Sequence, residues 1–370
     1  MSSAVCLDLI ADTREKDASP AVPLLSPRTD PRWAEFVDRH PRSSVFHSQS
    51  WLEALYQTYG YESFAWVTSS NDKLLRSGLL FCAVESWLTG RRLVSLPFSD
   101  HCEPLIGSEV DRASFARALG DELQRGRWRY IEMRPQSAFQ FTTTLSQSTV
   151  PYHFHQLDLE PDLETLFRRF HKDSIQRKIR RAEREGLRYK EGSSDLLLDQ
   201  FYRLFALTRS RHNVPSPQRS WFANLRTCFG NSFKIRVAYK ESVPVSAMIT
   251  LRHKDTLVYK YGGSDSSFSR FGGVHLLYWQ SIQEAKAAGL RCFDLGRTDF
   301  GQDGLVVFKN RWGATHSILT YARISSNGSS SHSFDLPAEN WKTKLARRVL
   351  AQLNPWALSL IGRALYKHVG

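Results

Sequence analysis

The sequence predicts an α/β fold with a mixed sheet, built as two tandem copies of one unit and followed by a helical tail. The first observation is that residues 256–313 form a crossover unit: a strand, a glycine-bearing loop, a helix and a second strand. The second is that the same order of elements recurs in the first half of the chain. The third is length, because 370 residues exceed what one hydrophobic core usually supports.

The first half opens with a proline-rich lead-in, residues 1–30, which we expect to be mobile. Apolar residues at helical spacing around Trp33 and Trp51 predict two short helices. Strands and one further helix follow, and a polar, Thr- and Ser-rich linker is expected over 136–150. The predicted strands are 64–68, 79–84, 92–98, 129–133 and 153–159, and the predicted helices are 111–124 and 163–185.

The crossover unit is the most informative stretch. Tyr259 and Tyr261 are two positions apart in its first strand, so we expect them on the same face, before Gly262 ends or bulges the strand. Its helix should begin at Gly273 and stop at Gly289. Because a helix N-terminus has free N–H groups and a partial positive charge, this one is a natural phosphate site.

The two halves share an approximate register. Trp51 lies 13 positions before one predicted strand, and Trp221 lies 12 positions before its counterpart. Asp100 and Asp265 each end a strand-like run that a loop, a helix and another strand follow. Two tandem copies explain both the length and the order. The alternative is that any α/β chain shows such alternation.

Four motifs of the second half occur in an order and spacing that resemble a known family. They are YKYGGSD at 259–265, LxxWxxIxxAxxxG at 276–289, FDxG at 293–296 and GLxxFKxxWG at 304–313. Residues 158–324 thereby resemble the FemAB-like branch of the GNAT (N-acetyltransferase fold) superfamily, with a BioF2-like acetyltransferase domain as in exopolysaccharide-associated FemAB proteins. The resemblance implies tandem GNAT-like domains at 31–150 and 151–328, with the better-preserved donor site in the second.

The resemblance also implies a mechanism and catalytic residues. An amine attacks the acyl donor directly, without a covalent enzyme intermediate, and a lysine at the position of Lys309 stabilises the oxyanion. Asp265 is a candidate to orient or deprotonate the amine, and Tyr261 a candidate acid or substrate contact. Each role has an alternative. Lys309 could be a solvated surface lysine, Asp265 a turn-forming aspartate, and Tyr261 a core tyrosine.

The stretch RFGGV resembles the GNAT pyrophosphate loop, which assigns Arg270, Gly272, Gly273 and Val274 to the donor. His275 stands where the usual loop has a small residue, and this departs from the pattern for acetyl-CoA. The alternative is a helix-entry turn that needs glycine geometry.

Four residues are candidates for substrate binding: Arg177, Arg181, Asp299 and Trp312. The two arginines lie near one face of a basic helix, for which the resemblance suggests a contact with carrier phosphates or nucleic acid. A solvated helix face is the alternative. Asp299 follows a strand end, where substrate-orienting groups are found, and Trp312 closes the lysine motif.

The remaining features restrict the class of protein. His153 and His155 share a strand face without partners at metal-ligand spacing, so no metal site is expected. Five widely spaced cysteines without a CxxC pair indicate a reduced, cytoplasmic protein. The N-terminus lacks a secretory h-region, and no apolar run is long enough to span a membrane.

The net charge of +13 implies an anionic partner, which could be nucleic acid, a membrane surface or a phosphorylated substrate. Residues 329–370 predict a basic amphipathic tail, interrupted at Pro355. This tail either contacts the inner membrane surface, which would bring the protein to a lipid-linked acceptor, or packs as an ordinary closing helix.

The expected function is N-acyl transfer. An acetyl or aminoacyl group would pass from acyl-CoA (acetyl-CoA) or aminoacyl-tRNA to an amine of a cell-envelope or exopolysaccharide precursor. Because no long coiled-coil insertion is evident, an acyl thioester is slightly favoured. The alternative is a non-catalytic scaffold that binds nucleic acid or anionic lipid through its basic face, with affinity that falls steeply with salt.

Overall fold

The computed structural model describes residues 22–71, 74–86, 90–126, 128–137, 146–325 and 366–368. The contacts divide the described residues into two compact units. Unit 1 holds those of 22–151 together with 319–325 and 366–368, and unit 2 holds 152–318. The predicted tail, apart from 366–368, and the first 21 residues of the predicted lead-in lie outside the described residues.

Unit 1 is a mixed sheet with helices, in the strand order β1-β2-β3-β4-β5-β12. Its strands are β1 (Leu24–Leu25), β2 (Ser63–Asn71), β3 (Leu74–Ser86), β4 (Gly90–Val94), β5 (Tyr130–Met133) and the end of β12 (Thr315–Ser325). Its helices are α1 (Pro31–Arg39), α2 (Gln49–Tyr59) and α3 (Glu109–Gln124). Strands β4 and β5 pair in parallel, and the other pairs are antiparallel.

Unit 2 repeats this plan, in the strand order β6-β11-β10-β9-β8-β7. Its strands are the second half of β6 (Ser146–Asp158), β7 (Arg188–Gly192), β8 (Phe233–Lys240), β9 (Val243–His253), β10 (Thr256–Ser264) and β11 (Cys292–Thr298). Its helices are α4 (Leu163–Arg169), α5 (Arg177–Arg184), α6 (Asp195–Arg211), α7 (Arg219–Phe229), α8 (Gly273–Ala287) and α9 (Asp303–Asn310). Here β10 and β11 form the parallel pair.

The matching topologies confirm the predicted mixed α/β fold with tandem copies. In each unit a helix with a buried tryptophan, Trp51 on α2 or Trp221 on α7, precedes three antiparallel strands. A loop, a helix (α3 or α8) and a parallel strand then follow. Each unit has its own core beneath that helix, with Phe115 and Ile131 in one, and Leu276 and Phe293 in the other. Burying one such side chain stabilises a fold by about 1.5–3 kcal/mol.

Two stretches expected to be irregular contain strand residues. Strand β1 lies within the predicted lead-in and pairs with β2, Leu24 opposite Trp66. Strand β6 begins at Ser146, inside the predicted linker. Regular structure therefore begins earlier in both places than composition suggested.

The predicted single helix over 163–185 is wrong. Helix α4 ends at Arg169, the next residue, Phe170, has an extended backbone, and a π-helical turn, Lys172–Gln176, leads into α5. The break directs the buried Phe170 ring against Trp279 and Trp312. Core packing has interrupted a sequence whose local preference is helical throughout.

The predicted common face for Tyr259 and Tyr261 is also wrong. Strand β10 continues past its two glycines, and the irregularity lies between these tyrosines. A bulge adds one residue to a strand, so side chains on its two sides no longer share a face. Tyr259 packs on Tyr278 of α8, whereas Tyr261 packs on Phe205 of α6 and Phe222 of α7.

Within the described part of the chain, no helix is both long and apolar enough to cross a membrane.

Candidate active site

Strands β10 and β11 pair only at their beginnings, which opens a wedge toward their C-terminal ends. The registered pairs are Thr256–Cys292, Leu257–Phe293 and Val258–Asp294. Farther on, β10 remains paired with β9, and β11 pairs with β6 after an irregularity between Asp294 and Arg297. Open α/β sheets bind ligands beyond the carboxyl ends of their strands, and α8 begins after this end of β10.

A cavity of about 200 Å³, which we call the α8 cavity, lies at the N-terminus of α8. Residues that line it include Ser246 of β9, Asp265 after β10, Gly273, Val274 and His275 of α8, and Phe308 of α9. Residues of β9, of the loop after β10, of α8 and of α9 therefore meet at one helix end.

The first turn of α8 is uncapped and closely packed. No described side chain caps it, and Gly272 at the N-cap has a φ of 81°, in the left-handed region. A Cβ on Gly272 would lie 2.5 Å from the carbonyl oxygen of Lys178, and one on Gly273 would lie 2.5 Å from Ser246 Oγ. Glycine is needed at both positions, and it leaves the backbone N–H groups of this turn available to an anion.

Two buried polar atoms of the α8 cavity have no hydrogen-bond partner within the described chain: Ser246 Oγ and His275 Nδ1. Burial, followed by the charge of Lys178, lowers the pKa of His275 to about 4, against a hydrogen bond with the backbone of Ser174. The ring is therefore neutral near pH 7. Because buried polar atoms are rarely left unpaired, these two fit the polar group of a bound ligand.

The equivalent helix of unit 1 lacks this chemistry. Ser108 caps α3 by accepting from the backbone N–H of Asp111, and the first turn carries Glu109 and Asp111. Asp111 is buried and pairs with Arg76 at 2.6 Å. Acidic side chains at a helix N-terminus repel an anionic ligand. The two equivalent helix ends therefore differ in capping and in charge.

Lys309 is buried, with 2% of its surface exposed, in the last turn of α9. Its Nζ donates to the carbonyl oxygens of Gly296, at 2.8 Å, and Arg297, at 3.1 Å, in the irregular part of β11. Its neighbour Phe308 lines the α8 cavity. Lys309 is therefore not a solvated surface lysine, although it is not itself among the residues that line the α8 cavity.

Asp265 lines the α8 cavity and caps the short 3₁₀ helix Ser266–Phe271. Its Oδ1 accepts from Ser267 Oγ at 2.5 Å and from the Ser267 backbone N–H at 3.0 Å. These bonds, the hydroxyl first, hold the pKa of Asp265 below its usual value. A carboxylate with a lowered pKa is a weak base, so Asp265 is better suited to orienting an amine than to deprotonating it.

Tyr261 is not among the residues of the α8 cavity. Its hydroxyl accepts from Trp221 Nε1 at 2.8 Å, and its ring packs on α6 and α7. The bulge in β10 directs it away from α8. The structure thus does not bring this predicted catalytic residue to the other candidates.

The predicted basic residues border the helix end. Arg270 is exposed and stacks over Phe271 at 4.7 Å, and Val274 lines the cavity directly. On α5, Arg177 is exposed with a 3.7 Å ion pair to Asp173, and Arg181 forms a 3.6 Å ion pair with Glu185. Helix α5 approaches α8 through the Lys178 carbonyl that contacts Gly272. Ion pairs of this length near the surface are weak, and neither arginine is among the residues that line the α8 cavity.

Of the remaining candidates, Asp299 forms the turn into α9, where its carbonyl oxygen accepts from the Gln302 N–H at 3.2 Å. Trp312 is fully buried and stacks on Tyr278 at 5.2 Å. The prediction that Trp312 contacts substrate is corrected, because complete burial leaves its ring no accessible surface. Asp294 is buried and accepts from the Gly296 N–H at 2.7 Å, as a structural carboxylate does.

Sequence reasoning missed Ser246, because no motif marks it, and it considered His153 and His155 only as possible metal ligands. No cluster of three or more His, Cys, Asp or Glu suited to a metal ion occurs among the residues that the structure describes.

A parallel strand pair that separates at its C-terminal ends, with a glycine-entered helix facing the opening, defines the GNAT class of fold. A family model described as "Acetyltransferase (GNAT) domain" matches residues 169–310. A UDP-N-acetylmuramoylpentapeptide-lysine N(6)-alanyltransferase from Weissella viridescens is 26% identical over 136 residues, which cover 36% of this chain and 40% of that protein. The match thus spans less than half the length of this relative.

Solved structures agree on the fold. FemX has a TM-score of 0.59 at 13% identity, with 78% of this chain and 94% of that one covered. The C-terminal domain of a putative lysylphosphatidylglycerol synthetase from Agrobacterium fabrum has a TM-score of 0.54 at 15% identity, with 80% and 91% covered. Residues 169–310 thus match an acetyltransferase (GNAT) domain, and the likeness to the alanyltransferase and the shared fold with FemX support the FemAB-like branch that the motifs indicated.

Proposed function

We propose that this protein transfers an acyl group from a phosphate-bearing carrier to an amine of a cell-envelope precursor. The observation that supports it best is the α8 cavity, where an uncapped helix N-terminus meets the unpaired buried atoms Ser246 Oγ and His275 Nδ1. The buried ammonium of Lys309 is one residue from Phe308 in the cavity wall. The proposal assigns phosphate recognition to the cavity and oxyanion stabilisation to Lys309.

The proposed reaction is direct aminolysis. The acceptor nitrogen attacks the acyl carbon, the new C–N bond forms, and the C–O or C–S bond to the carrier breaks. Negative charge that develops on the acyl oxygen is stabilised by Lys309, and removal of one such donor typically costs about 10²–10³-fold in turnover. Asp265 orients the amine, and Gly272, Gly273 and Val274 hold the carrier phosphate with Arg270 beside them.

The donor that we favour is an aminoacyl carrier, such as aminoacyl-tRNA, over acetyl-CoA. The relative from Weissella viridescens is an alanyltransferase, and α5 carries exposed arginines beside the cavity, as a long polyanion requires. His275, in place of a small residue, also departs from the acetyl-CoA pattern. By the same likeness, the acceptor that we propose is a lysine-type amine of a peptidoglycan precursor.

The test is to incubate the full chain with acetyl-CoA, longer acyl-CoAs or alanyl-tRNA, and with UDP-N-acetylmuramoyl-pentapeptide as acceptor. We expect one donor class to raise the melting temperature, since a ligand that binds only the folded state must do so. Mass spectrometry should then show the acylated acceptor. If no donor raises the melting temperature and no acceptor gains mass, the proposal is wrong.

The same experiments test the scaffold alternative. Binding of nucleic acid or anionic vesicles that falls steeply with salt, without any acyl transfer, would favour that function. We also propose that the protein acts in the cytoplasm, close to the inner membrane surface. Co-sedimentation of the full chain with anionic vesicles at physiological salt tests this contact.

A further inference from the structure

His275 is the residue of α8 at which the glycine loop departs from its usual pattern, and the proposed mechanism gives its side chain no role. It lies in the first turn of the helix and lines the α8 cavity. Its ring packs edge-on against Phe308, with centroids 5.6 Å apart, and stacks on Trp312 at 6.2 Å. These contacts hold the ring in place at the cavity wall.

The two ring nitrogens of His275 have different roles. With the pKa lowered to about 4, the ring is neutral near pH 7, so one nitrogen carries a proton and the other a lone pair. The hydrogen bond with the Ser174 backbone favours the protonated form, as a bond from a ring N–H to a carbonyl oxygen does. Because Nδ1 is buried and has no partner within the described chain, that bond belongs to Nε2. Nδ1 therefore holds the lone pair and can only accept a hydrogen bond.

This acceptor restricts the kind of group that the cavity holds. The oxygens of an ionised phosphate also only accept, so they pair with the N–H groups of α8 and with the Ser246 hydroxyl, but not with His275 Nδ1. Buried polar atoms are rarely left without a partner. The ligand therefore presents a hydrogen-bond donor to Nδ1, in addition to the phosphate of its carrier.

The charge of the cavity wall favours a cationic donor group. Among the described lining residues, Asp265 is the charged one. Its Oδ1 accepts from Ser267, whereas no described residue donates to its Oδ2. Three cations act on His275 or on Asp265 from outside that lining: Lys178 of α5, and Arg203 and Arg211 of α6. Because Coulomb energy falls with distance, an ammonium inside the cavity is stabilised mainly by the carboxylate in its wall.

An apolar part of the wall restricts the rest of the group. Its residues include Val245, Phe268, Val274 and Phe308. The cavity volume of about 200 Å³ exceeds the roughly 150 Å³ that hold a benzene molecule in an engineered cavity. A short acyl group that carries an ammonium, such as alanyl, therefore fits both the size and the lining of the cavity.

We propose that His275 selects donors whose acyl group carries a free α-amino group, which donates a hydrogen bond to Nδ1 while Asp265 balances its charge. The inference rests on the proposed acyl transfer and makes His275 a specificity-determining residue. This amine belongs to the donor and is not the nucleophile. An α-amino group has an ordinary pKa of about 7.7–8.0, so it is mostly protonated at pH 7, and its neutral form also donates. An acetyl group has no N–H and leaves Nδ1 unpaired.

The test compares two donors on one carrier, alanyl-tRNA and propionyl-tRNA, because the propionyl group is the alanyl group without its amine. The wild type should prefer the alanyl donor by about 10–100-fold in kcat/KM, since a hydrogen bond to a charged group is lost with the other. In His275→Gln the amide can still donate to the Ser174 backbone, but no acceptor remains at the position of Nδ1. The preference should therefore fall to near unity.

Two further variants separate the acceptor from a packing role. His275→Asn loses the reach to Ser174 but places an amide oxygen near the position of Nδ1, so it should keep most of the preference for the alanyl donor. His253→Gln, at the end of β9 in the same unit, is the control and should keep all of it. If His275→Asn and His275→Gln lose the preference equally, the ring acts only through packing and the inference is wrong.

The outcomes also separate this inference from the proposed function. A wild type that uses alanyl-tRNA and propionyl-tRNA equally, or that uses acetyl-CoA and not alanyl-tRNA, overturns the role of His275 and leaves acyl transfer intact. A wild type that transfers no acyl group from any of these donors overturns the proposed function, and the selectivity falls with it. The wild-type comparison needs no substitution, so it is decisive even where a variant folds poorly.

Discussion

At the position of Lys309 the chain places an ammonium in its interior, which costs several kcal/mol unless other groups replace the lost water. The carbonyl oxygens of Gly296 and Arg297 do so in part, and the irregularity in β11 makes those carbonyls available. A regular strand would direct them into the sheet ladder. The irregularity in β11 thus supplies the carbonyl oxygens that the buried Lys309 ammonium needs.

The first prediction concerns this charge. Lys309→Met keeps most of the side-chain volume and should lower turnover by about 10²-fold or more, with donor affinity nearly unchanged. Lys286→Met is the matched control, because Lys286 Nζ also donates to two backbone carbonyls, those of Leu159 and Glu160. Steady-state kinetics of both variants measures the loss of turnover in each. Equal losses in the two would mean that the effect is only structural.

The second prediction concerns Ser246, whose hydroxyl is buried without a partner in the described chain. An unsatisfied buried hydroxyl costs about 1–3 kcal/mol, so Ser246→Ala should leave stability unchanged or increase it. Donor affinity should fall by about fivefold or more, since a hydrogen bond to the carrier is lost. Thermal melts and titration calorimetry measure the two effects.

Ser281→Ala is the control for this experiment. Ser281 is equally buried, but its hydroxyl donates to the Leu277 carbonyl at 2.7 Å. This variant should lose stability and keep its donor affinity. Unaltered donor affinity in Ser246→Ala would place the carrier outside the α8 cavity.

Among the elements, α8 is the one on which the candidate site depends. It begins at two consecutive glycines because α5 approaches one of them and β9 the other, so each contact excludes a side chain. The crossover unit that contains it was predictable from periodicity and glycine positions. The break between α4 and α5 was not, because the residues there favour a continuous helix.

The third prediction tests the helix end. Gly273→Ala places a Cβ within 2.5 Å of Ser246 Oγ, so it should weaken donor binding by about tenfold and lower the melting temperature less than a core truncation does. Gly120→Ala, inside α3 with no atom within 4 Å of the added Cβ, is the control and should stabilise by about 0.5–1 kcal/mol. An unchanged dissociation constant for Gly273→Ala would contradict the phosphate site.

For the whole molecule, pH dependence follows from histidines that are buried in neutral form. The pKa values of His155 and His275 are lowered to about 4 from an ordinary 6.5. At a pH between these values, the two histidines bind protons in the unfolded chain but not in the folded chain. Their contribution to stability is complete above pH 6.5 and is lost as the pH falls toward 4, with a slope of at most about 1.4 kcal/mol per pH unit for each group.

The fourth prediction is that the free energy of unfolding falls between pH 6.5 and 5 in urea titrations, and falls less in the double variant His155→Gln, His275→Gln. Carboxylates affect stability only at lower pH. The pKa values of Glu132 and Glu284 are lowered from 4.5 to about 2, so their contributions to the free energy of unfolding are lost only below about pH 4.5. A wild type whose stability is constant from pH 6.5 to 5 would contradict the neutral, buried histidines.

Periodicity and glycine positions were enough to predict the α/β class, the duplication and the entry of α8. These are local properties, encoded by residues close together in the chain. Tertiary packing decided three further points: that Lys309 is buried, that Tyr261 does not reach the site, and that Trp312 is inaccessible. Ser246 meets Gly273, and His155 meets Asn310, only because β9 folds beside α8 and β6 beside α9. Contacts between segments so distant in sequence have no periodic signature, since each depends on how whole elements pack.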